Sequence, residues 1–409
     1  MKVAIISFEE ALTCKTLRGV STTTRYLRDQ LFRVGVSADI VIYGKSKLNY
    51  PEGFSIARHC TTLSELSELK NTYDFVIYFT PGRSWEKYDE KDPNRYIDVL
   101  ESVGLPFSFI YHSEEYRVHQ PYRMNFLNHP DCKFLIFVAD FSELYPEDLA
   151  IVPNYCVVMT APVLNSLEYI KSNEKSNSII MTSVWTNFKR NLEYFQLTSK
   201  FNDLGIKPYS AGAPNSNFYM NDICDLVISK IDLITSDTEM SDPTTVSKYR
   251  DYAAMMSRIK QELPYPYKRG EENKIPLVLG ANIFDKQGRS WFDYGSYFPE
   301  DMHRILEDKK FHWNMSCYKI KSKAYIPRLE TVTIEAFNEG CLPVLCEETT
   351  PDWIEGAFRF SKEDYADRID ELSMLSEEER CKRLEEFYYS LKANWFDGMY
   401  ERLKEMMEV

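Results

Sequence analysis

Glycine is scarce in this chain, and the few glycines present form no recognised nucleotide-binding loop. There are 15 in 409 residues, about half the usual share. None is spaced as G-x-G-x-x-G or as G-x-x-x-x-G-K-[ST], and the G-x-S-x-G elbow and the kinase signatures are missing as well. No apolar run ends in a D-x-D pair, which argues against a metal-dependent sugar transferase of the single-domain type. We therefore predict an active site without a metal.

Cysteine and long apolar runs are also limited. Nine cysteines at scattered spacings, an odd number with no C-x-x-C pair, predict reduced thiols in a cytoplasmic protein and exclude locally spaced Cys/His zinc clusters. No uninterrupted apolar run reaches about 18 residues, so we expect no transmembrane helix and no membrane partner. The first apolar run soon meets Glu9 and Glu10, which is typical of a buried strand rather than a signal peptide.

Basic charge is in the minority. The chain has 62 Asp and Glu against 49 Lys and Arg, for a formal net charge of −13. A molecule with this balance is no general polyanion binder, so a nucleic-acid partner would require a local basic groove. Apolar residues make up 44% and charged residues 27%, which is typical of a globular chain, and the length predicts roughly two to three domains.

Short β-rich runs alternate with helical stretches through most of the chain. Their near-continuous apolar character is typical of parallel strands buried on both faces, and the alternation predicts doubly wound α/β domains. We predict two Rossmann-like domains facing a cleft, at residues 1–165 and 175–385, the second with a mostly helical insertion at about 215–273. An apolar stripe at helical spacing in residues 386–409 predicts a C-terminal helix, which either packs its local core or crosses back to the first domain.

The predicted elements place the expected ligand site. The strands are predicted at residues 2–7, 38–43, 75–79, 107–111, 134–138 and 157–160, and then at 179–184, 277–281 and 342–346. The helices are predicted at residues 21–34, 62–69 and 95–103, and then at 190–201, 302–309, 331–338 and 365–372. Ligands of such sheets bind beyond the carboxyl ends of the strands, so we expect the site in the cleft.

Two segments put a helix start where an anion could bind. Gly19, Val20 and Ser21 follow the first predicted strand, with Ser21 suited to the N-cap. The segment E-T-V-T-I-E-A-F-N-E-G-C-L-P-V-L at residues 330–345 predicts a loop, a helix with a glycine C-cap and a buried strand. Its Glu335 lies one turn from the helix start, where a carboxylate can accept two ribose hydroxyls while backbone amides face a diphosphate. A plain loop-to-helix junction and a solvated helix are the alternatives.

Two further segments carry cations. Lys189 and Arg190 precede a predicted helix, where they could neutralise a leaving diphosphate. Lys319, Lys321 and Lys323 alternate along an extended segment and would share one side as a basic strip. The alternatives are a solvated pair and an edge strand that its charges protect from aggregation.

His112 and Glu114 follow the strand predicted at residues 107–111. A histidine and a carboxylate at a strand's carboxyl end could position or deprotonate an acceptor hydroxyl. Ordinary loop residues are the alternative.

These motifs, in this order, resemble those of the GT-B glycosyltransferases that use nucleoside-diphosphate sugars. Within that group the chain is most similar to the DNA hydroxymethylcytosine glycosyltransferases of T-even bacteriophages, the DNA α-glucosyltransferases. The resemblance is strongest in residues 19–47 and 319–344, which together cover under a third of the chain. His112 and Lys189 match more loosely. The positions that match in the second block are Lys319, Lys323, Leu329, Glu330, Thr333, Glu335, Gly340 and Pro343.

The resemblance implies a role for each matching residue. The residues implied to be catalytic are His112, Glu114 and Glu330. Those implied to bind the donor are Gly19, Val20, Ser21, Lys189, Arg190, Thr331, Val332, Thr333 and Glu335, with Glu335 on the ribose. Those implied to contact DNA or phosphate are Lys319 and Lys323. One position departs from the family, because Val184 stands where the family usually has an arginine, and Arg190 offers a substitute cation.

The implied activity is transfer of glucose or arabinose from a UDP-sugar to 5-hydroxymethylcytosine in double-stranded phage DNA, which protects that DNA from restriction. The resemblance further implies a metal-independent, retaining reaction on a flipped-out base, with no cofactor beyond the UDP-sugar co-substrate. We expect a monomer in the cytoplasm of the infected host. The N-terminal domain would serve the acceptor and the C-terminal domain the donor. The alternatives are a GT-B enzyme acting on a polysaccharide or lipid, and a non-catalytic nucleotide-sugar or DNA-binding protein.

Overall fold

A computed structural model describes residues 1–8, 19–44, 56–79, 95–111, 126–138, 145–158, 161–172, 174–183, 189–212, 233–234, 281–284, 290–293, 302–317 and 329–408. The chain divides into two compact units. Unit 1 comprises Met1–Val163 and Leu391–Val409, and unit 2 comprises Leu164–Ser390. Among the described helices, none combines the length and the apolar character needed to cross a bilayer.

Unit 1 is built around a parallel sheet. Its described strands are β1 (Lys2–Phe8), β2 (Ser37–Tyr43), β3 (Ile56–Cys60), β4 (Phe75–Phe79), β5 (Phe107–Tyr111), β6 (Cys132–Phe137) and β7 (Tyr155–Val157). They lie in the order β3-β2-β1-β4-β5-β6-β7, and every described pairing is parallel. The helices before the C-terminal segment are α1 (Gly19–Arg33), α2 (Leu63–Ser67), α3 (Arg95–Val103) and α4 (Pro146–Ile151), with a 3₁₀ turn at Glu68–Asn71.

The burial of β1 explains its apolar sequence. Residues 3–6 are fully buried, and Ile5 lies between Ile40 of β2 and Ile77 of β4. Because the strand order reverses direction between β1 and β4, the carboxyl end of β1 lies at a topological switch point, where ligands of such sheets bind. Helix α1 follows that end of β1 and packs with Leu27 and Leu31, both fully buried.

Unit 2 contains the second sheet. Its described strands are β8 (Ser176–Thr182), β9 (Lys207–Ala211), β10 (Leu233–Ile234), β11 (Ala281–Phe284), β12 (Ser290–Asp293), β13 (Lys309–Asn314), β14 (Leu342–Cys346) and β15 (Phe358–Phe360). They lie in the order β10-β11-β12-β9-β8-β13-β14-β15. The pairings from β12 to β15 are parallel, whereas β10 and β12 both pair antiparallel with β11. The helices are α5 (Leu167–Ser172), α6 (Asn191–Asp203), α7 (Met302–Leu306), α8 (Thr331–Asn338), α9 (Tyr365–Arg368), α10 (Asp370–Ser373) and α11 (Glu377–Leu391).

The C-terminal segment belongs to unit 1. After α11, a π-helical turn (Lys392–Phe396) leads into α12 (Asp397–Met407), which contacts β7 and α1. Arg402 donates from Nε to the carbonyl of Tyr155 at 3.1 Å, and the Arg33 guanidinium lies 5.6 Å from the ring centroid of Tyr400. The apolar stripe of the C-terminal helix therefore packs on unit 1, which is one of the two predicted alternatives.

The structure corrects some predicted elements. Ser21 is not an N-cap, because α1 already begins at Gly19. The helix predicted at residues 302–309 ends at Leu306, and Lys309 begins a strand. Strands β3, β9, β10, β12, β13 and β15 were not predicted, and β10 lies within the segment predicted to be a mostly helical insertion. Most of the predicted insertion at 215–273 and of the strand at 277–281 lies outside the described residues.

Candidate active site in unit 2

The candidate site lies at the edge of the unit 2 sheet where β8, β13 and β14 end. These three strands are parallel neighbours, so their carboxyl ends meet at one edge. Beyond that edge begin two helices, α6 after Arg190 and α8 after Glu330. Helix N-termini at the carboxyl edge of a parallel sheet are suited to anions, because their first amide groups lack partners within the helix.

Lys189 and Glu330 form an ion pair at this edge. The Lys189 ammonium contacts Oε1 of Glu330, and the two side chains are only 15% and 7% exposed. Glu330 is the N-cap residue of α8, yet its side chain makes no capping hydrogen bond; its carbonyl instead accepts the amide of Thr333 at 2.9 Å. The carboxylate is thus directed to Lys189, and each charge compensates the other in a site that excludes most of the water.

His312 lies near enough to this pair for both charges to act on its pKa, and its ring is neutral. The residue is fully buried in β13, with Nε2 2.7 Å from Oγ1 of Thr182 at the end of β8. Burial lowers the pKa of His312 to about 3, and the Lys189 charge adds to that effect while the Glu330 charge opposes it. The imidazole is therefore uncharged at neutral pH, and within the described part of the chain its Nδ1 has no hydrogen-bond partner.

Arg190 is held by contacts within the protein. Its backbone has φ 54° and ψ 40°, a left-handed conformation that is costly for a residue with a Cβ and that often marks functional sites. Nε donates to Glu193 at 3.1 Å and Nη2 to the carbonyl of Lys362 at 3.2 Å, while the guanidinium lies 4.7 Å from the ring centroid of Tyr365. Burial acts to lower the pKa of Arg190, but the Glu193 carboxylate outweighs it and the net shift is upward. Arg190 therefore keeps its charge in a fixed position beside Lys189.

The first turns of α8 carry both partly exposed and buried residues. Thr331, Val332 and Glu335 are partly exposed. Thr333 is fully buried, its hydroxyl oxygen accepts a hydrogen bond from Nδ2 of Asn314 at 2.6 Å, and its amide is bonded to Glu330. The amide and the hydroxyl oxygen of Thr333 are thus both engaged inside the protein and support the start of the helix, and its predicted contact with the donor stays a prediction.

The end of α8 confirms the predicted glycine C-cap. Gly340 has φ 84°, its amide donates to Phe337 at 2.8 Å, and the amide of Cys341 donates to Ala336 at 3.0 Å. This pair of bonds is the Schellman arrangement, which satisfies the last carbonyls of the helix. The turn fixes the direction in which the chain enters β14, and so fixes α8 above the sheet.

Of the remaining predicted site residues, some lie within the described part of the chain and others do not. Gly19, Val20 and Ser21 form the first turn of α1 in unit 1. His112, Glu114, Lys319 and Lys323 lie outside the described residues, so their roles stay predictions.

Sequence reasoning missed several supporting residues. His312 and Asn314 occupy a strand that was not predicted, and Asn191 donates to Ser183 at 2.8 Å and to the sulfur of Met181 at 3.0 Å. A histidine and an asparagine at alternate positions of an otherwise aromatic run are the signal that could have found the first two.

Two α/β units of this topology, one with a parallel and one with a mostly parallel sheet, give the chain the GT-B fold. No family model and no curated protein matches the sequence. Among solved structures, an α-glucosyltransferase in complex with UDP-glucose and DNA containing an abasic site is 16% identical, with a TM-score of 0.61 over 100% of this chain and 99% of that one. An α-glucosyltransferase in complex with UDP is 15% identical, with a TM-score of 0.60 over 100% of both chains. The pneumococcal O-GlcNAc transferase GtfA, in complex with UDP and GlcNAc, is 10% identical, with a TM-score of 0.51 over 100% and 98%.

Proposed function

We propose that this protein is a glycosyltransferase that moves glucose or arabinose from a UDP-sugar to the hydroxymethyl group of 5-hydroxymethylcytosine in duplex DNA. The observation that carries the proposal is the Lys189–Glu330 pair at the amino end of α8, at the carboxyl edge of a parallel sheet. The solved structures of the same fold that hold UDP, or UDP-glucose with DNA, support it.

The donor would bind at the start of α8. The amides of Thr331 and Val332 and the positive end of the helix dipole would face the diphosphate, with the Lys189 ammonium as its counter-charge. Glu335 would accept the two ribose hydroxyls. As the bond from the anomeric carbon to the diphosphate oxygen breaks, negative charge develops on UDP, and these groups stabilise it in a site where little water screens them. No metal is needed for that stabilisation, and Arg190 adds a second fixed cation.

The acceptor chemistry would use the base–acid pair predicted in unit 1. The hydroxymethyl oxygen would attack the anomeric carbon on the face from which UDP leaves and lose its proton to His112 or Glu114, so that the anomeric configuration is retained. The target base would be flipped out of the duplex to reach the donor. Because the chain carries a net charge of −13, DNA binding would depend on local cations such as Lys319 and Lys323 and would weaken steeply with salt.

The test is mass spectrometry of nucleosides after incubation of hydroxymethylated duplex DNA with a panel of UDP-sugars. We expect 5-hydroxymethylcytosine to gain one hexose or one pentose, and UDP to be released only when that base is present. Duplex DNA with unmodified cytosine is the control. Equal UDP release with unmodified DNA, or with glycans or lipids, would replace the proposal with a transferase of another acceptor, and binding of UDP without turnover would leave a non-catalytic protein.

A further inference from the structure

Three side chains able to bind a metal meet at the same edge of the unit 2 sheet. Cys346 ends β14, Cys317 follows the neighbouring strand β13, and Glu348 lies in the 3₁₀ turn Glu347–Thr349. The two sulfurs are 3.6 Å apart, and Sγ of Cys346 lies 2.9 Å from Oε2 of Glu348. All three donor atoms lie within 4.8 Å of one another, and in the described part of the chain this is the one such group of three.

The spacing of these atoms fits a tetrahedral zinc ion. With Zn–S near 2.3 Å and Zn–O near 2.0 Å, tetrahedral geometry sets the sulfurs about 3.8 Å apart and each sulfur about 3.5 Å from the oxygen. The sulfur separation of 3.6 Å agrees with this geometry, and the shorter contact of 2.9 Å between Sγ of Cys346 and Oε2 of Glu348 would lengthen as the ion enters. A disulfide would draw the sulfurs to about 2.0 Å and would give the carboxylate no role.

The loops that carry the three residues are tied together by hydrogen bonds. The Thr349 hydroxyl donates to the carbonyl of Ser316 at 2.7 Å, which joins the loop after β14 to the loop after β13. The other carboxylate oxygen of Glu348, Oε1, accepts the amide of Lys362 at 3.0 Å. One oxygen is thus fixed on the backbone while the other faces the sulfurs, as in sites where outer contacts orient a metal ligand.

We propose that Cys317, Cys346 and Glu348 bind one thiophilic divalent cation, for which Zn²⁺ is the best fit, with water as the fourth ligand. Two soft sulfur donors select against Mg²⁺ and Ca²⁺, which prefer oxygen. On binding, the thiols become thiolates and their protons pass to the buffer. The ion joins the loops after β13 and β14, and through Lys362, whose carbonyl accepts from Arg190 at 3.2 Å, it stiffens the neighbourhood of Arg190. This role is structural and stands apart from the sugar-transfer proposal.

Metal binding by the full chain tests the site without any activity measurement. The protein is purified under reducing conditions, stripped with a chelator and titrated with ZnCl₂, with native mass spectrometry for stoichiometry and calorimetry for affinity. CoCl₂ serves as a second probe, because thiolate ligands give Co²⁺ a charge-transfer absorption in the near ultraviolet. The variants are Cys317→Ser, Cys346→Ser and Glu348→Gln, and the matched control is Cys381→Ser, at a partly exposed cysteine of α11.

We expect the wild type to bind one Zn²⁺ per chain and to show the charge-transfer absorption with Co²⁺. The zinc affinity should fall at least about 100-fold in either cysteine variant and about 10-fold or more in Glu348→Gln. The zinc affinity of Cys381→Ser should equal that of the wild type. Because Cys346 is buried, circular dichroism checks the fold of its variant; should that variant unfold, the partly exposed Cys317 and Glu348 decide the matter. Zinc binding that survives Cys317→Ser, or that Cys381→Ser abolishes equally, would overturn the proposal. The proposal would also fail if the reduced wild-type protein took up no zinc. It would fail likewise if the protein mass were lower by two hydrogens because Cys317 and Cys346 form a disulfide.

Discussion

Lys189 and Glu330 stand 141 positions apart in the sequence, and their side chains meet in an ion pair that is almost fully removed from water. A buried pair of this kind is weak evidence for stability, because the cost of desolvating both charges offsets most of their attraction. Under the proposed function, the pair would keep a cation in place for the donor diphosphate and give that cation a partner while the donor is absent.

Replacement of Lys189 with Met should lower both activity and stability. Loss of the cation removes stabilisation of the leaving diphosphate, so we expect kcat/KM for the UDP-sugar to fall about 100- to 1,000-fold, measured as UDP release. The Glu330 carboxylate is then buried without its partner, which should cost about 3–5 kcal/mol in the free energy of unfolding, measured in urea.

The double variant separates these two effects. Adding Glu330→Gln to Lys189→Met removes the unpaired charge, so most of the lost stability should return while activity stays low. Lys382, which is 67% exposed on α11, provides the control Lys382→Met, expected to match the wild type. Recovery of activity together with stability in the double variant would show that the pair is structural only.

Glu335→Ala should weaken donor binding with little effect on the fold, because this side chain is partly exposed on α8. Loss of a charged hydrogen-bond partner for the ribose should raise the UDP dissociation constant and the donor KM about 10- to 100-fold, measured by calorimetry and by initial rates. Glu363→Ala, at a side chain that is 79% exposed, should leave both values unchanged. Wild-type UDP affinity in the Glu335 variant would remove this residue from the donor site.

Local signals in the sequence predicted helix α8 to the residue, whereas the contacts around it are not local. The sequence pattern and the C-cap glycine define Thr331–Asn338 without reference to the rest of the fold. The partner of Glu330, by contrast, depends on how two helices are positioned over the sheet. The same holds for Cys317 and Cys346, whose 29-residue separation matches no local metal motif.

Strand β13 shows why part of the sheet escaped prediction. Its sequence, K-K-F-H-W-N, begins with two cations and contains a histidine, so it lacks the apolar character of a strand buried on both faces. Lys309 is nevertheless 1% exposed, because it pairs with Asp308 and lies 4.2 Å from the ring centroid of Tyr209. His312 is accommodated by Thr182, 130 positions away. Asp308 is a neighbour in the sequence, but Tyr209 and Thr182 belong to other strands, so only the folded sheet supplies them.

Gly340→Ala should destabilise the protein more than the same change at a comparable glycine. At Gly340 a Cβ would collide with the carbonyl oxygen of Ile170, and the φ of +84° adds backbone strain. Gly205 has a φ of +69° but open space around its Cβ position, so Gly205→Ala isolates the backbone cost of about 1–2 kcal/mol. We expect urea unfolding to show a loss at least about 1 kcal/mol greater at Gly340. Equal losses would mean that the clash is relieved by movement of α5.

Stability should depend on His312 as the pH falls. Because burial lowers the pKa of this residue to about 3, below the value near 6.5 of an unfolded histidine, the unfolded chain binds the proton first. The contribution is intact above pH 6.5 and is lost as the pH falls through the interval down to about 3, by about 1.4 kcal/mol per pH unit. Other groups titrate in this range, so the quantity to measure is the difference between the wild type and His312→Gln in the pH dependence of the free energy of unfolding. Between pH 6 and pH 4 the free energy of unfolding of the wild type should fall more steeply than that of the variant, with a slope difference that corresponds to uptake of about one proton. Parallel curves would show that the imidazole is protonated in the folded protein as readily as in the unfolded chain. The conclusion that His312 is neutral near the Lys189–Glu330 pair would then be wrong.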